Sequence, residues 1–350
     1  MKVLVTGAGP GGHGEQIVKS LQLVPEGRYE VLSADANPVP SPLHGDSVTH
    51  RLPLADHPNY LDELIDLCLR EGTQAVFHGS EPELKVISRG RNLLEEQGIF
   101  VAVNSASLIE LCLDKAALAR KLDEIGFPGP RSFSIAECLE SGWPGGFPLI
   151  VKPKSDGGGS RNVFVVQDNK ELRAVVDLLG SESSDSSFVA QEYCGLETDE
   201  FTVGVLHDRE GRFLGSAVMN RDLTANLSLK QRVKNRTRKL SAGEYLAVSS
   251  GVSQGFFGPF PEIAEQCRTI AEVLESRGPL NFQLRFVDGI VKIFEINPRF
   301  SGTTSARAFA GLNEPDLFLQ SCIFGVRPKH PVVANSGFLV RTLREEFRKI

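Results

Sequence analysis

The first hundred residues alternate between short β-rich runs and amphipathic helical stretches. Leu61, Leu64, Ile65 and Leu69, for example, recur at the spacing of one helix face. The predicted strands cover residues 3–6, 29–34, 75–78 and 100–103, and the predicted helices cover residues 15–23, 60–70 and 84–94. This alternation is typical of a parallel sheet with helices on both faces. It predicts an α/β unit at the start of the chain.

The pattern changes after residue 104. A helical stretch covers residues 104–125 and stops at the glycines and prolines of residues 126–130. From residue 149 the β-rich runs are separated by turns, which is typical of antiparallel sheet. These runs are residues 149–151, 163–166, 188–192, 201–206 and 213–217, followed by a helix at 261–277 and a hairpin at 280–297 that turns at Asp288-Gly289. The chain is therefore predicted to combine α/β with α+β architecture.

Composition narrows the class of protein. The 350 residues carry a formal net charge of -6, which gives no electrostatic footprint for nucleic acid over the whole molecule. No apolar run is long enough to span a bilayer, and the N-terminal MKVLVTGAG does not fit a signal peptide because glycine interrupts it. The six cysteines are dispersed without a CxxC pair, as is typical of reduced thiols in the cytoplasm. The seven histidines show no tight metal-ligand spacing, so we expect no zinc site.

A glycine motif follows the first predicted strand. Gly7, Gly9 and Gly12 form GxGxxG, and Asp35 lies at the end of the second strand. One interpretation is a dinucleotide site, in which the glycines admit a pyrophosphate and the acid holds a ribose hydroxyl. The other is that a doubly wound sheet needs a glycine-rich first turn for close strand–helix packing. A second and more specific nucleotide site later in the chain makes a nicotinamide oxidoreductase the weaker interpretation.

Residues 149–160 read LIVKPKSDGGGS, a strand that carries Lys152 and leads into a loop of glycines and serines. Backbone N–H groups in such a loop can turn toward phosphate oxygens. The spacing is not that of a P-loop, and the chain returns into the strand 163–166, so we predict a β-hairpin flap. A flexible surface turn is the alternative, and Lys152 makes it weaker. The predicted phosphate-binding residues of the flap are Ser155, Gly157, Gly158, Gly159 and Ser160.

A second polar cluster lies on the C-terminal hairpin. Glu295 and Asn297 are two residues apart on one predicted strand and therefore point to the same face. Gln283 comes from the neighbouring strand, and the three oxygen donors suit a hard cation such as Mg²⁺. Arg299 follows at the strand tip, where it can meet developing phosphoryl charge.

Together these pieces resemble the ATP-grasp superfamily, and most closely the synthetase halves of the carbamoyl-phosphate synthase large subunit. The likeness extends from about residue 113 to residue 325. The order and spacing of separate motifs make it specific. They are LDK at 113–115, IVKPKSDGGGS at 150–160, QEY at 191–193, EFTVGVL at 200–206, and NFQ at 281–283 with FEINPRFSGTTS at 294–305.

The resemblance implies a fold with three parts. A Rossmann-like pre-ATP-grasp domain would cover residues 1–105. The small and lid subdomains of the ATP-grasp fold, with the phosphate flap, would cover residues 106–190. A C-terminal subdomain with the metal and substrate site would cover residues 191–350.

The resemblance also implies roles for matching residues. Lys115 and Lys152 would hold the ATP phosphates, and Glu200 would bind the ribose hydroxyls. Arg299, with Lys152 and Asn297, would stabilise the transferred phosphoryl group. The backbone of four consecutive residues would meet the adenine edge: Gln191, Glu192, Tyr193 and Cys194. The ligands for one or two Mg²⁺ ions, with Mn²⁺ as the alternative ion, would be Gln283, Glu295 and Asn297.

Two positions depart from the pattern of the family. Asn162 stands where relatives often have glycine, but asparagine tolerates left-handed backbone angles, so the flap geometry is expected to survive. Gln283 is neutral where many ATP-grasp enzymes have an acid. This leaves less negative charge for a second Mg²⁺ ion.

The expected activity is that of an ATP-dependent carboxylate–amine ligase, which forms an acyl phosphate and then an amide, with ADP and phosphate as further products. The partners implied are a small carboxylate and a small amine, with no nucleic acid and no membrane. A homodimer is the default assembly for a soluble enzyme. Three alternatives stay open: a phosphotransfer enzyme similar to carbamoyl-phosphate synthase, a non-catalytic nucleotide-sensing module, and the nicotinamide oxidoreductase.

The sequence says less about the substrate-binding residues than about the nucleotide site. Arg221 and Arg307 are candidates for holding a carboxylate through paired hydrogen bonds. Glu81 and Glu83 follow a strand end, where they either contact the amine or favour the start of the next helix. Residues 230–239 carry six cations and no acid, and this run is either a solvated loop or a substrate loop that gathers anionic groups.

Overall fold

The amino-terminal part of the chain is a five-stranded parallel sheet. The computed structural model describes residues 1–25, 27–37, 50–140, 145–154, 162–180 and 187–343. The strands of this sheet are β1 (Lys2–Val5), β2 (Glu30–Asp35), β3 (His50–Arg51), β4 (Ala75–Phe77) and β5 (Phe100–Val101). They pair in the order β3-β2-β1-β4-β5, and every pair is parallel. The parallel sheet predicted from the alternating pattern is confirmed.

Helices cover both faces of this sheet. They are α1 (His13–Gln22), α2 (Tyr60–Glu71), α3 (Glu81–Arg89) and α4 (Arg91–Glu96). Leu4 of β1 packs against the side of α2, whereas Val3 and Val5 pack against the side of α1. The single helix predicted over residues 84–94 is wrong. The chain forms two helices that meet at Gly90, where a Cβ atom would lie 2.4 Å from the side chain of Leu61.

Two further helices replace the continuous one predicted over residues 104–125. They are α5 (Ala106–Leu113) and α6 (Lys115–Glu124). Asp114 separates them, because its carboxylate accepts hydrogen bonds from the backbone N–H groups of Ala116 and Ala117 at 3.0 and 2.9 Å. Lys115 is therefore the first residue of α6, and the Asp114 cap fixes the position of its backbone.

A four-stranded antiparallel sheet follows. Its strands are β6 (Ser132–Phe133), β7 (Leu149–Pro153), β8 (Phe164–Val166) and β9 (Phe188–Glu192), in the order β6-β9-β7-β8, and α7 (Ile135–Glu140) and α8 (Asn169–Leu179) pack on it. The antiparallel pairing of β7 with β8 confirms the predicted hairpin. The flap between them, residues 155–160, lies outside the described residues. Asn162, on its far side, has a φ of 54°, in the left-handed region that asparagine tolerates, and the expected flap geometry stays a prediction.

The largest sheet has seven strands. After β10 (Glu200–His207) and β11 (Phe213–Arg221), the chain forms a separate hairpin of β12 (Leu229–Lys234) and β13 (Tyr245–Ser249). The large sheet is completed by β14 (Gly255–Phe257), β15 (Pro279–Val287), β16 (Ile290–Asn297), β17 (Val332–Val333) and β18 (Gly337–Leu339). Its order is β16-β15-β10-β11-β14-β18, with β17 beside β11. The predicted hairpin of β15 and β16 is confirmed, and both turn residues, Asp288 and Gly289, have positive φ.

Three helices accompany this sheet in the described part of the chain: α9 (Pro261–Val273), α10 (Thr304–Phe309) and α11 (Glu314–Cys322). Asn104 connects the parallel sheet to the large sheet, because its amide nitrogen donates to the carbonyl of Pro279 at 2.9 Å. All six cysteines have free thiols. Of the helices in the described ranges, none is both long enough and apolar enough to cross a membrane.

Candidate active site

A cleft lies between the four-stranded sheet and the seven-stranded sheet. Its walls come from β7 and β9 on one side and from β10, β13, β15 and β16 on the other. We call it the central cleft. It brings together ten of the residues that sequence analysis singles out: Lys115, Lys152, Gln191, Glu192, Tyr193, Cys194, Glu200, Arg221, Gln283 and Glu295.

Two lysine side chains lie close together in the central cleft. Lys152 on β7 donates a hydrogen bond to the carbonyl of Phe294 at 3.4 Å, and Lys115 donates to the carbonyl of Pro153 at 3.2 Å. Burial and the charge of Lys115 lower the pKa of Lys152 to about 8, while Glu295 opposes this shift. Because two ammonium groups repel each other, an anion bound beside them would stabilise both.

Glu200, at the start of β10, is buried between two arginines. Arg221 Nη1 lies 3.4 Å from its Oε1 atom, and Arg285 Nη2 lies 3.4 Å from its Oε2 atom. Arg221 also donates to the backbone carbonyls of Ser250 and Val252 at 2.9 and 3.1 Å. Within the described part of the chain, Oε1 of Glu200 has no hydrogen-bond partner. Arg221 offsets the charge of this oxygen, but a buried acceptor without a hydrogen-bond donor is destabilising, and a ligand hydroxyl would satisfy it.

Residues 191–194 are held against the cleft by neighbouring groups. The Tyr193 hydroxyl accepts a hydrogen bond from the backbone N–H of Ala247 at 2.9 Å, and the Arg285 guanidinium lies 4.2 Å from the centre of the Tyr193 ring. Arg285 Nη1 also donates to the carbonyl of Cys194 at 3.0 Å. The Tyr193 side chain is therefore a structural element, and any ligand contact of Tyr193 is left to its backbone.

The basic run at residues 230–239 forms β12 and the turn that follows it. Three of its cations pair with acids of neighbouring elements: Arg232 with Glu197 at 2.8 Å, Arg236 with Glu171, and Lys239 with Glu192 at 3.1 Å. For these three, the substrate-loop interpretation is wrong, because their charges already have partners. Lys239 also donates to the carbonyl of Tyr193 at 3.2 Å. The run thus braces one wall of the central cleft.

The predicted metal ligands lie on two paired strands. Gln283 on β15 and Glu295 on β16 are cross-strand partners, and both line the central cleft. Asn297 is buried further along β16, and its Oδ1 atom accepts a hydrogen bond from Arg299 Nη2 at 2.9 Å. No group of three or more His, Cys, Asp or Glu side chains in the described ranges could hold a metal ion. An ion here would depend on amide oxygens, one carboxylate and the oxygens of its ligand.

Arg299 lies just beyond the end of β16 and is 8% exposed. Burial lowers its pKa, while the negative charges of Glu295 and Glu81 raise it. Burial and the charge of Arg299 also lower the pKa of His13 to about 3 and that of His78 to about 4. Arg299 therefore connects the central cleft electrostatically to the carboxyl end of the parallel sheet.

The two predicted substrate arginines already have partners. Arg307, on α10, is 1% exposed and donates to both carboxylate oxygens of Glu314 at 3.1 and 3.2 Å. A guanidinium in a buried ion pair has no open edge for a substrate carboxylate, so the substrate role of Arg307 is corrected to a structural one. Arg221 does line the central cleft, but its contacts identify it as a residue that positions Glu200.

Glu81 and Glu83 differ in their surroundings. Glu83 is buried, and its carboxylate accepts hydrogen bonds from the Tyr60 hydroxyl at 3.0 Å and the Ser80 hydroxyl at 2.8 Å. Glu83 therefore stabilises the start of α3. Of the two acids, only Glu81 is left as a candidate for contacting the amine. Glu81 is the first residue of α3 and interacts electrostatically with Arg299.

The glycine motif after β1 is closed by contacts within the protein. The N–H of Gly9 donates to Asp35 Oδ2 at 2.9 Å, so the acid expected to hold a ribose is used inside the loop. Gly79, in the loop after β4, lies so close that a Cβ atom there would be 2.3 Å from the carbonyl oxygen of Thr6. These contacts favour the close-packing interpretation of the motif over the dinucleotide site.

Sequence reasoning missed three residues of this region and did not identify the partner of a fourth. Arg285 follows Gln283 by two positions on β15, so the two-residue period of a strand could have placed it on the cleft face. His13 and His78 each follow a strand of the parallel sheet, at the edge where strand ends converge. Lys239 had no usable signal, because a basic run does not reveal which cation meets which acid.

Comparison with known proteins bears on this cleft. The family described as ATP-grasp in the biosynthetic pathway with Ter operon matches residues 186–346, which include Glu200, Gln283 and Glu295. The chain is also 24% identical over 320 residues to the carbamoyl phosphate synthase large chain of Neisseria meningitidis serogroup B. The match to this ATP-grasp family covers slightly under half of the chain. The chain resembles the synthetase halves of that large chain, and the alignment covers 86% of the chain but only 27% of the relative.

Solved structures share the mixed α/β ATP-grasp fold. One is the biotin carboxylase domain dimer of Hydrogenobacter thermophilus 2-oxoglutarate carboxylase, in complex with MgADP, ADP and bicarbonate. It has a TM-score of 0.61 and 16% identity to this protein, covering 94% of this chain and 70% of that one. Another is the L-amino acid ligase from Bacillus licheniformis, with a TM-score of 0.61, 18% identity, and 92% and 73% coverage.

Proposed function

We propose that this protein is an ATP-dependent carboxylate–amine ligase of the ATP-grasp superfamily. One observation carries the proposal: the central cleft contains two adjacent lysines, an acid–amide pair on paired strands, and a buried carboxylate oxygen that accepts no hydrogen bond from the described residues. These are Lys115 with Lys152, Glu295 with Gln283, and Glu200. A nucleoside triphosphate needs a cationic contact for its phosphates, oxygen ligands for its metal ion and an acceptor for its ribose.

In the proposed complex, the ATP phosphates lie against Lys115 and Lys152, whose mutual repulsion the phosphate charge would relieve. The Oε1 atom of Glu200, which has no hydrogen-bond donor among the described residues, accepts a hydrogen bond from a ribose hydroxyl. The backbone of residues 191–194 meets the adenine edge. The glycine-rich flap, which lies outside the described residues, would add N–H donors to the phosphates.

Gln283, Glu295 and Asn297 fit Mg²⁺ as a sparse set of oxygen donors. A bound Mg²⁺ or Mn²⁺ ion would neutralise charge on the phosphoryl oxygens. Because the set contains one carboxylate, and because Asn297 Oδ1 already accepts a hydrogen bond from Arg299, one ion fits better than two.

The proposed reaction proceeds through an acyl phosphate. A carboxylate oxygen of the substrate attacks the γ-phosphorus in line, a new O–P bond forms, the bond to the bridging oxygen breaks, and ADP leaves. Arg299 and Lys152 offset the charge of the transferred group. The neutral amine then attacks the acyl carbon, the C–O bond to phosphate breaks with its electron pair leaving on phosphate, the departing phosphate takes up the amine proton, and the amide and phosphate are released. The protein positions and neutralises, and no side chain needs to act as a nucleophile.

The wider organisation is proposed on the same basis. The strand order β3-β2-β1-β4-β5 supports a Rossmann-like pre-ATP-grasp domain over residues 1–105. The four-stranded sheet supports small and lid subdomains over residues 106–190, and the seven-stranded sheet supports a C-terminal subdomain over residues 191–350. A cytoplasmic homodimer that acts on a small carboxylate and a small amine completes the proposal.

Phosphate release from MgATP across a panel of amino acids, small carboxylates and amines tests the function. We expect ADP and phosphate only when an acid and an amine are both present, together with an amide detected by mass spectrometry. Lys152→Ala should abolish turnover, whereas Lys170→Ala, an exposed lysine on α8, should not change it. Formation of AMP and pyrophosphate would contradict the acyl-phosphate mechanism.

A phosphotransfer enzyme is the second candidate. It is favoured by the relatives that bear the name carbamoyl phosphate synthase, of which the chain spans 27% in the Neisseria protein. Turnover of MgATP with bicarbonate and ammonium as the only other substrates, yielding a phosphorylated product and no amide, would support this candidate over the ligase.

A further inference from the structure

His78 lies directly after β4 and is 3% exposed. Its Nδ1 atom is 3.2 Å from the backbone carbonyl oxygen of Ser80. A carbonyl oxygen can only accept, so Nδ1 carries the proton of this hydrogen bond. In a neutral ring, Nε2 then presents a lone pair. That Nε2 atom is buried and has no hydrogen-bond partner within the described ranges.

The surroundings of His78 keep the ring neutral. Burial and the charge of Arg299 lower its pKa to about 4. The environment of His13 is similar, because burial, Arg299 and His78 lower the pKa of His13 to about 3. Glu81 and Glu295 act on this cluster through their attraction for Arg299. At neutral pH the cluster therefore presents a hydrogen-bond acceptor beside a cation.

The cluster lies where the topology of the sheet favours ligand binding. β1 and β4 are neighbours, and the chain order reverses between them, with β2 and β3 on one side and β5 on the other. In open α/β sheets, ligands typically bind outside the carboxyl ends of the strands at such a switch point. His13 begins the helix after β1, and His78 begins the loop after β4.

The chemistry of these groups separates the two substrates of the proposed ligase. A carboxylate or phosphoryl group is attracted by Arg299 and repelled by the lone pair of Nε2. An N–H group of an amine is suited to Nε2, and Glu81, which interacts electrostatically with Arg299, adds negative charge to the cluster. The amine would then approach the acyl phosphate from the side of the parallel sheet, and the phosphate would leave on the side of the central cleft.

We propose that His78 Nε2 accepts a hydrogen bond from the N–H of the amine substrate, so that His78, His13 and Glu81 form the amine subsite. This inference rests on the proposed ligase function and adds the location of its second substrate. The weak basicity of the ring assigns His78 to binding and orientation of the amine, not to removal of its proton.

Nitrogen-15 NMR of histidine-labelled protein at neutral pH tests the ring directly. Signals lost in His78→Leu assign the resonances. We expect a protonated Nδ1 and an unprotonated Nε2, and an upfield, saturable shift of the Nε2 signal on titration with ammonium or glycinamide in the presence of MgADP. An Nε2–H tautomer, or an Nε2 signal that neither probe moves, would overturn the inference.

Steady-state kinetics with the best acid–amine pair provide the second measurement. His78→Leu should raise KM for the amine about tenfold and leave KM for ATP unchanged, as expected for one lost hydrogen bond. His78→Gln should recover part of the loss, because its carbonyl oxygen can accept. His207→Leu is the matched control, since His207 is also buried without ring-nitrogen partners in the described residues but lies on β10.

The two proposals fail in different ways. If no acid–amine pair turns over but the Nε2 signal shifts with an amine, the ligase function is wrong and the amine subsite stands. If turnover occurs and His78→Leu leaves KM for the amine unchanged, the subsite is wrong and the ligase function stands. A thermal melt of each variant shows whether it folds. A His78→Leu protein that is more stable and kinetically normal would identify Nε2 as an interior atom without a ligand.

Discussion

Replacing Arg307 by methionine removes the cationic partner of the buried acid Glu314. Arg307 is 1% exposed and Glu314 is 0% exposed. The guanidinium donates to both carboxylate oxygens of Glu314, and it also contacts the side-chain oxygen of Asn281. A methionine of similar length fills the space but leaves the carboxylate without its partner. The substitution therefore tests whether Arg307 is structural or binds substrate.

The size of the effect follows from the protonation of Glu314. Loss of one partner of a buried ion pair typically costs about 3–5 kcal/mol. The carboxyl group can escape this cost by taking up a proton, and burial already raises its pKa against the opposing effect of Arg307. Protonation from an ordinary value of 4.5 costs about 3 kcal/mol at pH 7. We therefore expect Arg307→Met to lose about 3 kcal/mol of unfolding free energy at pH 7.

The loss should depend on pH. In the variant, the folded-state pKa of Glu314 lies above its unfolded value, so the folded state binds more protons and loses stability as pH rises. The destabilisation should shrink by up to about 1.4 kcal/mol for each unit that the pH is lowered from 7 toward 5. Urea unfolding followed by circular dichroism at several pH values measures this slope.

Two controls sharpen the measurement. Arg307→Met combined with Glu314→Gln removes both charges and should recover at least half of the loss. Lys121→Met breaks an exposed pair with Glu124 and should cost less than about 1 kcal/mol. A loss below about 1 kcal/mol in Arg307→Met, with a raised KM for the carboxylate, would refute the structural assignment and restore Arg307 to the substrate site.

Three further predictions concern the cleft and a buried histidine. Lys152→Ala should abolish ATP turnover while circular dichroism stays unchanged, and full activity would remove it from the site. Glu295→Ala, or chelation with EDTA, should stop turnover, and metal-independent activity would contradict the metal assignment. Burial lowers the pKa of His207 from 6.5 to about 4. Its unfolded form therefore binds the proton first, and stability should fall by about 3 kcal/mol between pH 6.5 and pH 4. His207→Leu should flatten this part of the profile of unfolding free energy against pH, measured by urea unfolding. An unchanged slope would argue against His207 as the cause.

Much of the cleft could be predicted because its residues lie on strands with a readable period. Glu295 and Gln283 face the same side once the turn at Asp288-Gly289 sets the register of the hairpin. That turn needs two residues with positive φ, which asparagine, aspartate and glycine supply, so it can be recognised locally. Lys152 could also be predicted from the sequence, because it lies on a strand immediately before a glycine loop.

Helix boundaries were harder to predict because competing local signals are of similar strength. Asp114 interrupts an apolar helical pattern by capping the backbone of Ala116 and Ala117, and Gly90 divides another because Leu61 packs against it. Each effect is worth about 1 kcal/mol, comparable to the propensity of the whole turn. A periodic pattern of apolar residues does not distinguish one helix from two with the same face.

By itself, the sequence determined the local conformations and the motifs: the alternating parallel unit, the antiparallel hairpins, and the order of the ATP-grasp residues. Only the tertiary structure decided which charges meet. It placed Arg307 against Glu314, Lys239 against Glu192, and Arg299 beside His78. The physical reason is that backbone periodicity depends on neighbours a few residues away, whereas charge pairing depends on burial and on chain segments far apart in sequence.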